Sequence, residues 1–197
     1  IYFSTCSVYG FQEEVVDEGS RLNPLTTYAK AAAEGEKQVL PLASKEFIVT
    51  VVRPATVYGF SPRLRLDLVV NTMTYTLFTE GKVRVFGGSQ YRPLVHVKDL
   101  VRAVELILNA DAEVVNGEIF NVGSDEQNYR IIDLGRKVCE ALGKDPEEHM
   151  EVKGADVDTR SYRVSFRKIK EVLDFRPKYD IGDGAREVWK ALEEGIV

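Results

Sequence analysis

Apolar positions along the chain keep two rhythms. Short β-branched runs alternate with longer stretches in which hydrophobic residues recur every three or four positions, and these mark strands and helices respectively. Ile1-Tyr2-Phe3 opens the chain and predicts a strand over 1–5, whereas Cys6 to Leu22, rich in acids, reads as a loop. Beyond Asn23-Pro24, residues 26–43 carry Ala, Glu, Lys and Leu and predict a helix. Phe47 to Val52 is a compact strand of the buried kind, and Arg53 to Arg65, with Pro54, Gly59 and Pro62, reads as a loop. Leu68, Val69, Thr72, Met73 and Leu77 have helical spacing over 67–79. Val83 to Phe86 and Arg92 to Val97 are short extended pieces. Asp99 stands near the start of a helix with apolar face Leu100, Val101, Val104 and Leu108. A strand over 118–122, a helix over 131–142, and helices over 166–173 and 183–194 complete the pattern.

Strands alternating with helices in the first sixty residues predict an α/β chain with a parallel sheet and crossover helices. The second half, with shorter strands and more helices, predicts a smaller α/β lobe on the sheet edge. An apolar strand at residue 1 is an unusual beginning, because parallel strands are covered on both faces and termini lie at the surface. The expectation is that an N-terminal segment precedes this chain; an edge strand is the alternative.

Composition narrows the partners. Of 197 residues, 44% are hydrophobic and 29% charged, which suits a folded domain rather than disorder. Lys+Arg number 26 and Asp+Glu 31, a net charge of −5 that argues against non-specific binding to nucleic acid or an anionic membrane. Two cysteines, Cys6 and Cys139, are too few for a disulfide framework and point to the cytoplasm. No apolar run is long enough to span a membrane. His96 precedes a helix and reads as a turn residue; with only His149 besides, no metal cluster is expected. Trp189 reads as helix packing, and Arg163 to Lys170 as an amphipathic face.

Three segments carry chemistry. Ser4-Thr5-Cys6-Ser7-Val8-Tyr9-Gly10 ends the first strand, Pro24-Leu25-Thr26-Thr27-Tyr28-Ala29-Lys30 starts the next helix, and Arg53-Pro54-Ala55-Thr56-Val57-Tyr58-Gly59 follows the next strand. Open α/β sheets bind ligands beyond the carboxyl ends of their strands. The Thr5 hydroxyl and the Tyr28 phenol can therefore converge on one substrate oxygen.

In this order and spacing the three segments resemble the extended short-chain dehydrogenase/reductase family, the NAD-dependent nucleotide-sugar epimerases and dehydratases. Gly87 to Asp99, Phe120 to Ser124 and Asp158 to Arg163 are similar to later segments of that family. The resemblance implies the C-terminal part of a Rossmann-type parallel sheet: residues 1–60 in a partial dinucleotide-binding domain, and 61–197 mainly in a substrate lobe, with about 92–122 returning to the sheet. It implies NAD or NADP as cofactor, a nucleotide-sugar substrate and a homodimer. Tyr28 is then the base and Thr5 its hydrogen-bond partner. Cofactor contacts fall on Tyr28, Ala32, Pro54, Ala55 and Val57, and substrate contacts on Ser7, Asn71, Arg92 and Arg160. For Asn71 an ordinary polar helix position is the alternative. Arg63 and Arg65 lie in a loop, where they are solvated charges or close over the ligand.

Two positions depart from the resemblance. A free phenol titrates near ~10 and needs help to act as a base near neutrality. In the family a lysine four residues after the tyrosine supplies that charge; here the place holds Ala32. Simple replacement is one reading, and a local deletion that makes Lys30 the displaced lysine is the other. The carboxyl pair that the family's 4,6-dehydratases place after the Ser/Thr is here Cys6 and Ser7, which argues against dehydration. The glycine-rich G-x-G-x-x-G turn of a dinucleotide fold is absent from the sequence. The chain is thus expected to be an epimerase-like protein of impaired activity, with a non-catalytic sugar-nucleotide-binding module or a keto-sugar reductase as alternatives.

Overall fold

The computed structural model describes residues 1–154 and 160–196. The chain begins with β1 (Tyr2–Phe3), a 3-10 turn over Cys6–Tyr9, β2 (Phe11–Val16) and α1 (Thr27–Val39). Then come β3 (Thr50–Pro54), β4 (Thr56–Tyr58), α2 (Val69–Glu80), β5 (Val83–Phe86), β6 (Tyr91–His96) and α3 (Val97–Asn109). A short α4 (Ala112–Val115) leads to β7 (Glu118–Val122), β8 (Asn128–Arg130) and α5 (Ile131–Ala141). The remainder holds α6 (Pro146–His149), β9 (Met150–Lys153), β10 (Ser161–Val164), α7 (Arg167–Leu173) and α8 (Ile181–Glu193).

The central sheet is parallel, in the order β1-β3-β7. All five residues of β3 are buried, as a strand flanked on both sides and covered on both faces requires. Its Val51 pairs with Tyr2 on one side and Ile119 on the other. Beyond it β4, β6 and β8 form a mixed sheet, β4–β6 parallel and β6–β8 antiparallel. Two long-range parallel pairs, β2 with β10 and β5 with β9, tie the second half of the chain to the first.

Helix α1 starts where Thr26 caps it, the side chain accepting the Ala29 N–H at 3.1 Å. Its inner face is Ala29, Ala32, Ala33 and Glu36, the i, i+3, i+4, i+7 stripe of one helix side. Small residues let the helix lie close to the sheet. The Tyr2 hydroxyl donates to the Ala32 carbonyl at 3.3 Å. A Cβ at Gly35 would meet that hydroxyl at 2.0 Å, so only glycine fits there. One core packs Val52, Phe120, Val122, Ala103 and Ile107 around the sheet; a second packs α2, α5 and α8 over β5 through Met73, Leu77, Val85, Leu134 and Ile181.

The elements differ from the sequence pattern at identifiable places. The expected loop 6–22 contains β2, which the pattern missed because only Val16 of its six residues is buried. The strand expected over 47–52 lies at Thr50–Pro54, with Phe47 and Ile48 exposed. Part of the expected 53–65 loop is the strand β4, and β8 and β9 arise in stretches without a strand signal. The helices agree closely: α1 covers most of 26–43, and α2, α3, α5, α7 and α8 fall where the spacing predicts them.

Candidate active site

A cavity of about 990 Å³ opens at the carboxyl ends of β1, β3 and β4. Its wall includes Thr5, Ser7, Tyr28, Pro54, Ala55, Val57, Asn71, Arg92 and Arg160, nine of the residues to which the sequence assigns site roles. Ala32, the tenth, is not on that wall; it is buried on the inner face of α1. Asp158 and Thr159 lie outside the described residues.

The end of β1 delivers Thr5. After Phe3 the chain enters the 3-10 turn Cys6–Tyr9, and Thr5 caps it by accepting the Ser7 N–H at 3.1 Å. The Thr5 hydroxyl keeps its own hydrogen for another acceptor. Tyr28 stands in the first turn of α1, 64% exposed, on the same cavity wall. Lys30 points outward from α1 and is not on the wall, so no cation comes from that helix.

Below the wall a buried polar chain fixes α1 to the sheet. Arg53 forms a fork with Glu36, Nη2 to Oε2 at 2.6 Å and Nε to Oε1 at 2.9 Å. Ser4 donates its hydroxyl to the same carboxylate. The other guanidinium arm donates to the Tyr9 hydroxyl at 2.9 Å, which donates to Asn121 at 2.8 Å. Thus the strand carrying Thr5, the helix carrying Tyr28 and the strand leading to Pro54 share one hydrogen-bonded network.

Cys6 lies behind this surface, its Sγ donating to the Arg53 carbonyl at 3.1 Å. Burial pushes its thiol well above the usual range, with Arg53 opposing and the nearby carboxylates reinforcing. It remains a neutral thiol with no part in proton transfer near neutrality. His96 is likewise internal: its Nδ1 accepts the Lys98 N–H at 3.2 Å at the start of α3. The hydrogen-bond pattern therefore places its proton on Nε2, facing Glu187 at 3.1 Å. Trp189 packs edge-on to Phe78 at 5.0 Å.

The wall is strongly basic. Among the described lining residues are Arg63, Arg65, Arg84, Arg92 and Arg160, against one acid, Asp67. In a chain of net charge −5 this is a concentration of positive charge suited to an anion. Arg92 is buried; it donates to the Tyr91 carbonyl at 2.8 Å and to the Arg160 carbonyl, and sits 5.7 Å from the Tyr162 ring centre. Arg84, which the sequence reading missed, reaches the wall by strand alternation: Val83 and Val85 face the core, and Arg84 and Phe86 face out. Arg84 also pairs with Glu80 and, at 3.8 Å, with Glu151. Tyr162 was missed as well; burial raises it, so its hydroxyl stays a neutral donor, 3.4 Å from that of Ser7.

Asn71, on the cavity wall, also braces main chain. Its Oδ1 accepts the Gly59 N–H at 3.1 Å and its Nδ2 donates to the Arg65 carbonyl at 3.1 Å. Both ends of the amide brace the loop between β4 and α2.

A sequence profile described as the NAD dependent epimerase/dehydratase family matches residues 1–123. The chain belongs to this family. The chain is 26% identical over 187 residues to the "Uncharacterized UDP-glucose epimerase YtcB" of Bacillus subtilis (strain 168), covering 93% of this chain and 57% of that protein. It is 28% identical over 194 residues to the dTDP-glucose 4,6-dehydratase of Actinoplanes sp., covering 95% and 58%. Among solved structures, UDP-glucuronic acid 4-epimerase from Bacillus cereus, in complex with UDP-glucuronic acid and NAD, superposes with a TM-score of 0.81 at 22% identity, covering 98% of this chain and 60% of that one. RMD from Pseudomonas aeruginosa, complexed with NADPH, gives 0.82 at 19% identity, covering 98% and 66%. The last two likenesses establish the Rossmann-type α/β fold. The chain spans somewhat over half the length of these two curated relatives. Among the described residues no helix is long and apolar enough to cross a membrane, and no cluster of His, Cys, Asp and Glu is arranged to hold a metal ion.

Proposed function

We propose that this chain forms the substrate side of an NAD(P)-dependent nucleotide-sugar epimerase. The observation that carries the reading is the meeting of Thr5, Tyr28 and a set of arginines on one cavity of about 990 Å³. Arg92 and Arg160 bind the diphosphate, for which forked guanidinium donors are suited. The sugar then lies toward Thr5, Ser7 and Tyr28. Tyr28 takes the proton of a ring hydroxyl, while Thr5 donates its remaining hydrogen to the same oxygen. Pro54, Ala55 and Val57, together with Phe3, offer a largely apolar wall beside these groups, which fits the nicotinamide end of a dinucleotide. When bound, the nicotinamide supplies the hydride acceptor. The fit covers that end alone, since no glycine-rich turn for the pyrophosphate occurs in the sequence.

Two features shape the reaction. Cys6 and Ser7 leave no carboxyl pair beside Thr5, which disfavours water elimination and favours epimerisation or reduction of a keto-sugar. Ala32 leaves the position one turn after Tyr28 uncharged, so turnover is weak. That same substitution favours the second reading, a module that binds sugar nucleotides without acting on them. The first reading also makes the protein a cytoplasmic homodimer, which sedimentation would test for its dimer part. Calorimetric titration with UDP, NAD+ and UDP-glucose, followed by turnover assays with the last two together, separates the readings. Epimerase function predicts binding and a slow reaction that Tyr28→Phe abolishes. Tight UDP binding with no turnover in wild type supports the module, and absence of UDP binding removes both.

A further inference from the structure

Part of the cavity wall is built by a strand from the far end of the chain. Along β10 the residues alternate, Tyr162 and Val164 buried, Ser161 and Arg163 half-buried. Pairing with β2 holds this strand in place: Ser161 lies opposite Phe11 and Arg163 opposite Val15, with the register shifting between them, at Tyr162. Phe11 stands just beyond the 3-10 turn that carries Ser7. The pairing thus brings Tyr162 to Ser7 across 155 positions of sequence, with the two hydroxyl oxygens 3.4 Å apart. Both residues line the cavity. Among the described residues neither hydroxyl has another hydrogen-bond partner. The Tyr162 ring is packed on its other side by Arg92, whose guanidinium carbon is 5.7 Å from the ring centre.

The direction of this bond follows from the two groups. A phenol is more acidic than an alcohol and is the better donor. Tyr162 is buried, so its hydrogen has an acceptor only if it is aimed at Ser7; left unpaired it would carry the full cost of a desolvated donor. Burial also keeps this phenol protonated. Ser7 therefore accepts from Tyr162 and keeps its own hydrogen for the cavity. Thr5 is set in the same way, because its hydroxyl already accepts the Ser7 N–H at 3.1 Å. We propose that Tyr162 is a positioning residue that fixes Ser7 as a hydrogen-bond donor, so that Ser7 and Thr5 present a pair of donors to the sugar. The inference rests on the reading of this wall as a sugar-nucleotide site. A sugar hydroxyl that is oxidised becomes a carbonyl, whose oxygen only accepts hydrogen bonds. A wall of preset donors favours that oxygen over the starting hydroxyl, which is the differential binding that a reaction needs.

The test reads binding and needs no turnover. Calorimetry on this chain gives the ratio of its affinities for UDP-glucose and UDP, in which a general loss of fold or of diphosphate binding cancels. Wild type should favour UDP-glucose. Tyr162→Phe keeps the ring and should lower the ratio by roughly fivefold, the worth of one uncharged hydrogen bond. Ser7→Ala should lower it at least as much. Adding Tyr162→Phe to Ser7→Ala should lower it no further, because Tyr162 acts through Ser7. A purely structural role for Tyr162 would give losses that add. Additive losses, a Tyr162→Phe ratio equal to that of wild type, or equal affinity of wild type for the two ligands each overturns the inference and leaves the nucleotide site standing. Absence of UDP binding in wild type removes the reading of the cavity and the inference with it.

Discussion

The molecule handles charge in two opposite ways within a few residues of the same strands. Beneath the cavity, Arg53, Glu36, Ser4, Tyr9 and Asn121 form a closed polar network in which the side chains of the ion pair are 3% and 4% exposed. On the cavity wall, arginines from four separate regions face a space with one acid among the described lining residues. The buried set satisfies its own groups and fixes the positions of three elements. The wall set is held by more exposed pairs, Arg65 by Asp67 and Arg84 by Glu80 and Glu151, and concentrates positive charge beside the cavity.

Breaking the chemistry of the wall should produce the largest effect. Tyr28→Phe should reduce turnover of UDP-glucose with NAD+ by about 10²–10⁴-fold, the range for loss of a positioned acid or base, with UDP affinity unchanged in calorimetry. Turnover equal to wild type would assign the base elsewhere. Breaking the network below should act on stability instead. Glu36→Ala leaves the Arg53 guanidinium buried without its partner and should cost about 3–5 kcal/mol in urea unfolding. A loss within the range of surface substitutions would mean that Arg53 finds another partner. Arg92→Ala sharpens the contrast from the other side. It should weaken UDP binding by roughly tenfold or more, as loss of a charge-assisted hydrogen bond does. Its effect on affinity should exceed that of the same change at Arg163, which is not on the wall.

The smallest expected effect concerns pH. Burial lowers the His96 value below the ordinary 6.5, with Glu187 opposing. The unfolded chain therefore takes up this proton first. The resulting stability is complete above the unfolded value and is lost as pH falls through the lower folded one. Melting temperature should decline between pH 7 and pH 5, and His96→Gln should flatten that part of the decline. A parallel decline in both proteins would assign it to other groups.

How far these two regions could be read from sequence depends on whether local or distant residues decide them. Thr5 and Tyr28 were legible because strand ends and helix starts locate ligands in open α/β sheets, and both positions follow from nearby sequence. Helix α1 was legible from its run of Ala, Glu, Lys and Leu beyond Asn23-Pro24. By contrast β2 exists because Phe11–Val16 pairs with Ser161–Val164, about 150 residues away, and its exposed Glu13, Glu14 and Val15 give no buried-strand signal. The strand β9 depends similarly on β5. The strand over Val83 to Phe86 was read from the sequence, but only the packed molecule places Arg84 on the cavity wall. Asn71 stood out as a polar residue in an apolar helix. Its bracing of Gly59 and Arg65 depends on the path of a proline-containing loop that sequence spacing does not determine.

A crystal structure of this chain grown with UDP-glucose tests the central claim most directly. The account predicts the diphosphate against Arg92 and Arg160 and one sugar hydroxyl within hydrogen-bonding distance of both the Thr5 and Tyr28 oxygens. A nucleotide bound away from the arginines, or a sugar that reaches neither hydroxyl, would contradict it.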